Sequence, residues 1–150
     1  MNIGWYTRDG DLEFFSKVSL ELMRLNADIH SYYLCHTLKE EGTLQHRFDI
    51  HADVLGEFIE NYSSSTSLDT EEEFQALMDE YPFMPMRKLV WGDMYELGRN
   101  DIQLKRDIVS HFRFFEKFCL NNKLEVILSE GPGILATNIL WTVCRKNDIL

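Results

Sequence analysis

The chain has 150 residues, enough for one domain with a single sizeable core. Hydrophobic residues make up 45% and charged residues 27%, a globular balance that excludes an intrinsically disordered chain. The formal charge is −10, and its excess sits in one place: Phe48 to Met86 carries ten acids and no Lys or Arg, while the remainder balances. Such a field repels a phosphate backbone, so nucleic acid is not an expected partner. A solvated acidic surface that aids solubility is the expected role, with a cation site or a basic partner as the alternative.

Asn2 to Thr7 (NIGWYT) reads as a first, central strand, broken by the turn chemistry of Arg8-Asp9-Gly10-Asp11. Leu12, Phe15, Val18, Leu22 and Leu25 then recur at helical spacing, with Asp11 as a cap and Asn26 as a left-handed stop. Ser31 to His36 is a second strand, so the opening is a β-α-β unit with parallel strands. Leu38 to Ile50 is polar and poorly periodic, and is expected to be irregular or a hairpin. Val54, Leu55, Phe58, Ile59 and Tyr62 mark a short helix before a flexible break at Ser63–Ser67.

Thr70-x-x-Glu73 is a capping box, followed by Phe74, Leu77, Met78 and Tyr81 on one face, and Pro82 and Pro85 end that helix. Met86 to Leu97 is ambiguous between strand and helix. Asn100 and Gln103 can cap a long helix to about Asn121, with Leu104, Ile108, Phe112, Phe115 and Cys119 inward. Leu124 to Leu128 is a third strand, apolar enough to be covered on both faces. Ser129 to Gly133 is a tight turn into a nearly all-apolar helix from Ile134 to about Lys146. An α/β repeat would start its next strand at Asp148-Ile149-Leu150, and three strands make a small sheet, so the chain reads as part of a longer protein. The expected class is α/β: a Rossmann-like three-layer sandwich, with a small parallel sheet and a helical insert between strands two and three.

The three cysteines, Cys35, Cys119 and Cys144, lie far apart among apolar neighbours. They suggest buried thiols in a reducing, cytoplasmic setting rather than a disulfide framework or a zinc site. No signal peptide is visible, and no apolar run has the length of a bilayer span. His30, His46, His51 and His111 show no metal-ligand spacing, so no metal is expected.

In an open parallel sheet, ligands gather at the carboxyl ends of the strands. The loop after strand one offers Arg8 and Asp9 to a polar substrate. The loop after strand three offers Ser129, Glu130, Gly131 and Gly133 ahead of a helix whose free N–H groups suit an anion or a hydroxyl. Glu130 can bond hydroxyls or act as a base, against the plainer role of neutralising the helix dipole. His36 and Asp93 are secondary candidates. No residue is singled out as catalytic.

Glu80-Tyr81-Pro82, Leu89-Val90-Trp91-Gly92-Asp93-Met94, His111-Phe112-Arg113-Phe114-Phe115-Glu116-Lys117-Phe118 and Leu124–Gly131 resemble the N-terminal half of capsule and surface polysaccharide biosynthesis proteins with a GT-B glycosyltransferase-like fold. The resemblance is clearest over Asp79–Lys146. It implies two Rossmann-like domains across a cleft, with this one meeting a glycan or sugar acceptor and peripheral membrane association compatible with the role. A C-terminal domain, absent from this sequence, would grip the nucleotide-sugar donor, and this domain itself would hold no cofactor. On the matching positions, Glu130, Gly131 and Gly133 would face the cleft, together with Asp93. The isolated domain is then expected to be inactive, because transfer needs both substrates held together. The competing readings are a stand-alone nucleotide- or small-molecule-binding regulatory α/β module, and a structural partner whose acidic stretch docks a basic protein.

Overall fold

A computed structural model describes residues 1–65, 70–82, 89, 100–131 and 133–150. Within them lie four strands: β1 (Asn2–Thr7), β2 (His30–Cys35), β3 (Ala52–Val54) and β4 (Val126–Leu128). Six helices accompany them: α1 (Leu12–Leu25), α2 (Leu38–Phe48), α3 (Leu55–Ser65), α4 (Thr70–Glu80), α5 (Asp101–Asn121) and α6 (Leu135–Lys146). The strands form one parallel sheet in the order β3-β2-β1-β4. The protein is therefore α/β, consistent with a Rossmann-like fold.

Strand alternation divides the core in two. Ile3 and Trp5 of β1 join Tyr33 and Cys35 of β2 against α1 and α2, packing with Leu12 and Leu44. Tyr6 and Leu34 face the other way, into a larger cluster built from α3, α4, α5 and α6 around Phe112, Phe115, Ile139 and Val143. The described acids of the acidic stretch are exposed apart from the half-buried Glu73, and two of them are ion-paired: Glu71 meets Lys105 at 2.7 Å and Glu80 meets both Lys146 and Arg113.

Several expectations need correction. The sheet has a fourth strand, β3, of only three residues, too short to carry a periodic signal. Leu38–Phe48 is a helix: Thr37 and Glu40 form a capping box at its start, and Asp49 at φ 57° closes it. Its weak periodicity reflects a helix that buries little apolar surface beyond Leu44. Asp11 sits at the start of α1 without a side-chain capping bond, and Asn26 is extended at φ −145°, not left-handed. Leu25 is exposed rather than on the packed stripe. Helix α3 runs through Ser63–Ser65, where a break was expected.

Strand β4 spans three residues, shorter than Leu124–Leu128, and Leu128 is exposed rather than covered. On its outer edge, the Leu150 N–H donates to the Glu125 carbonyl at 3.0 Å and the Leu150 carbonyl accepts from the Ile127 N–H at 2.7 Å. That is the bond pair of a parallel bridge, at the position where the next strand was expected. The Asn100 carboxamide oxygen caps α5 by accepting from the Gln103 N–H at 2.8 Å. Apart from the buried Leu89, the ambiguous Met86–Leu97 segment lies outside the described residues.

Candidate functional site

The strand order puts the chain's reversal between β1 and β4: β2 and β3 extend the sheet to one side of β1, and β4 lies on the other. Loops leaving two such strands diverge to opposite faces and leave a crevice at their carboxyl ends. Ile3, Gly4 and Trp5 pair with Val126, Ile127 and Leu128, which brings the Arg8 loop and the Ser129–Gly133 loop side by side. One Arg8 guanidinium nitrogen lies 3.7 Å from a Glu130 carboxylate oxygen, both side chains about one-third exposed. That separation is an ion pair outside hydrogen-bond distance. No hydrogen bond joins either side chain to a described residue.

The walls are fixed by a residue that the sequence reading missed. Glu40 is buried, and one of its carboxylate oxygens accepts from the His36 N–H at 2.9 Å, the Thr37 N–H at 2.8 Å and the Thr37 hydroxyl at 3.0 Å. Its other oxygen accepts from the Asp9 N–H at 3.1 Å. One carboxylate thus ties the loop after β1 to the loop after β2. The Arg8 carbonyl accepts from the Asp11 and Leu12 N–H groups, both at 2.9 Å, so the same loop also starts α1. The His36 carbonyl accepts from the Gly56 N–H at 3.0 Å, an approach so close that a Cβ on Gly56 would stand 2.9 Å from that oxygen.

Two buried polar atoms in this region have no partner among the described residues: the Tyr6 hydroxyl and His36 Nδ1. Tyr6 is 1% exposed. Burial pushes its phenol far above the ordinary range, Arg8 offsets this in part, and Glu40 and Glu130 add to it. The hydroxyl therefore lies within the fields of the crevice charges. Burial, and then Arg8, lowers the His36 imidazole below its ordinary value near 6.5 against the pull of Glu40.

A histidine held neutral by burial makes stability depend on pH. As pH falls below about 6.5 the unfolded chain takes up the proton before the folded one, so stability drops toward the lowered folded value. His36→Gln removes that contribution: its denaturant midpoint is expected to fall less than that of the parent protein between pH 7 and pH 5. An equal fall in both would contradict the assignment.

The sequence candidates divide as follows. Arg8 and Glu130 are brought together at 3.7 Å, and Asp9 and His36 are joined through their N–H groups on Glu40. Asp9 is exposed and contributes its N–H to Glu40. The Ser129 hydroxyl donates to the Glu130 carbonyl at 2.8 Å. Gly131 and Gly133 are exposed, neither has a left-handed φ, and a Cβ on either would meet nothing within 4 Å, so the turn does not require glycine at these places. The expected free N–H groups of the last helix are partly spent, because the Gly133 and Ile134 N–H groups donate to the Thr137 hydroxyl at 3.3 and 3.4 Å. Asp93 lies outside the described residues.

All three cysteines are buried and unbridged. Burial, with Glu40 and Glu41, pushes the Cys35 thiol up to about 12. A hydrogen bond with Cys144 and burial raise Cys119 further. Neither thiol is an activated nucleophile. Among the described residues no helix is long and apolar enough to cross a membrane, and no group of three or more His, Cys, Asp or Glu side chains could hold a metal ion. A separate open groove of about 340 Å³ lies between β3, α3 and α5, lined by Asp53, Glu57, Phe58 and Lys117 among others, away from the crevice. Comparison with known protein families, curated proteins and solved structures finds no match for this chain.

Proposed function

We propose that this chain is the acceptor-side domain of a glycosyltransferase of surface or capsular polysaccharide biosynthesis, binding a sugar in the β1/β4 crevice. The supporting observation is the juxtaposition of Arg8 and Glu130 at 3.7 Å across the chain reversal of a parallel sheet. A guanidinium donates and a carboxylate accepts, and a polyol needs both from neighbouring groups. In this reading the stretch between β2 and β4 carries the helical insert of a Rossmann-like three-layer sandwich. A second domain then supplies the nucleotide-sugar donor, and the isolated domain binds without turnover. The parallel-bridge bonds of Leu150 to β4 are those a fifth strand would make.

The stand-alone nucleotide-binding alternative is less well supported. A phosphate would want the N–H groups that lead into α6, and those of Gly133 and Ile134 are engaged by Thr137. Calorimetric titration with neutral methyl hexosides tests the proposal. Arg8→Ala and Glu130→Ala are each expected to weaken binding about ten-fold, one charge-assisted hydrogen bond's worth. Unchanged affinity in both variants would refute a crevice site.

A further inference from the structure

We propose that the crevice is built for a neutral hydroxylated ligand and that Tyr6, with His36, is the buried polar floor that recognises one of its hydroxyls. This rests on the reading that the crevice is the ligand site, and adds the ligand's charge class and two residues that read it. The charge argument comes first. Tyr6 stands two residues before Arg8 at the end of β1; Arg8 faces Glu130 at 3.7 Å and Glu40 holds the Asp9 N–H, so the charges of this loop are one cation and two carboxylates. Glu130 already neutralises Arg8, and the Glu40 oxygens are filled by four donors. His36 stays neutral beside Arg8 and adds no positive charge. A uronate or a phosphate would enter a site with a surplus of negative charge, whereas a neutral hydroxyl group would not.

The floor argument is one of satisfaction. A buried phenol hydroxyl and a buried ring nitrogen without partners both cost stability, and such groups persist where a ligand completes them. Tyr6 is at the end of β1 on the α5 side, its ring edge-on to Phe115 with centroids 6.0 Å apart, so the side chain cannot swing out to water. His36 is pinned by its main chain to Glu40 and Gly56. The Tyr6 ring and the His36 backbone are therefore preorganised. The Arg8–Glu130 pair on the neighbouring loops is about one-third exposed, and at 3.7 Å it resists separation weakly.

The test is amide chemical-shift titration of the full chain with methyl glucoside, methyl galactoside, glucuronate and inorganic phosphate, on the parent protein, Tyr6→Phe and His36→Gln. A neutral hexoside is expected to move the amides of residues 7–9, 36 and 129–131, with glucuronate and phosphate at least about ten-fold weaker. Tyr6→Phe removes one oxygen and should lose about ten-fold in hexoside affinity while its melting temperature rises. A purely structural tyrosine would lose stability and affinity together. Hexoside binding at the crevice that Tyr6→Phe leaves unchanged, or glucuronate or phosphate binding as tightly as hexoside, overturns this inference and leaves the crevice reading standing. No shift at the crevice with any of the four overturns both.

Discussion

Glu40→Ala is expected to destabilise the protein by roughly 3 to 4 kcal/mol and to disorder the crevice wall. The carboxylate is 5% exposed and serves four donors from three residues. Its removal orphans N–H groups in a place with little water to replace it, and a hydrogen bond to a charged acceptor is worth about 1.5–3 kcal/mol. Against a typical total of about 5–15 kcal/mol, this is a large share, and the melting temperature should fall by about 10 °C. The neighbouring Glu41 side chain makes no hydrogen bond among the described residues and pairs with the exposed His51 at 3.7 Å. Glu41→Ala should therefore cost under about 0.5 kcal/mol. Thermal unfolding of the two variants side by side checks the assignment, and equal losses would refute the staple.

Gly4→Val carries the second large effect, because it acts on the pairing that creates the crevice. A Cβ at Gly4 would stand 2.7 Å from Leu124 Cδ1 and 3.0 Å from Ile127 Cγ1. A single methyl group could be met by a shift of the Leu124 tip. A branched side chain has to push β4 away from β1 or displace the packed base of Leu124. The expected cost is about 2–3 kcal/mol, the upper part of the usual range for overpacking. The same loss should reach the ligand, since Arg8 and Glu130 face each other only while β1 and β4 are paired. Gly10→Ala is the control: nothing lies within 4 Å of its Cβ position, and its midpoint should stay within about 0.5 kcal/mol.

A buried phenol with no partner predicts the opposite sign. Tyr6→Phe should raise stability by about 1 kcal/mol, because the desolvated hydroxyl is removed and the ring packing against Phe115 is kept. Differential scanning calorimetry of the unliganded protein decides this, and a lowered midpoint would mean that the hydroxyl has a partner within the fold.

The physics of the sequence explains which parts of this were legible. Strong apolar runs at Asn2–Thr7 and Leu124–Leu128, and the periodicity of α1 and α5, were sufficient to place the two candidate loops at one end of a parallel sheet. Strand β3 escaped because three residues cannot show alternation, and α2 because its inward face rests mainly on Leu44. A local signal for α2 was nonetheless present. Thr37-x-x-Glu40 has the same capping pattern as Thr70-x-x-Glu73, which was read correctly as a helix start only because apolar residues followed it. Recognising it would have exposed Glu40 as well. The glycines after β4 misled in the other direction, since composition suggests a strained turn and the backbone there needs none. Tyr6 had no sequence signal at all: a hydroxyl becomes an orphan only through the elements that close around it.

The most direct test of the account is a crystal structure of the chain soaked with a neutral hexoside. The account predicts the sugar at the carboxyl ends of β1 and β4, with ring hydroxyls on the Arg8 guanidinium and the Glu130 carboxylate. A hexoside seated instead in the groove beside Asp53 and Lys117, with the Arg8–Glu130 pair undisturbed, would contradict it.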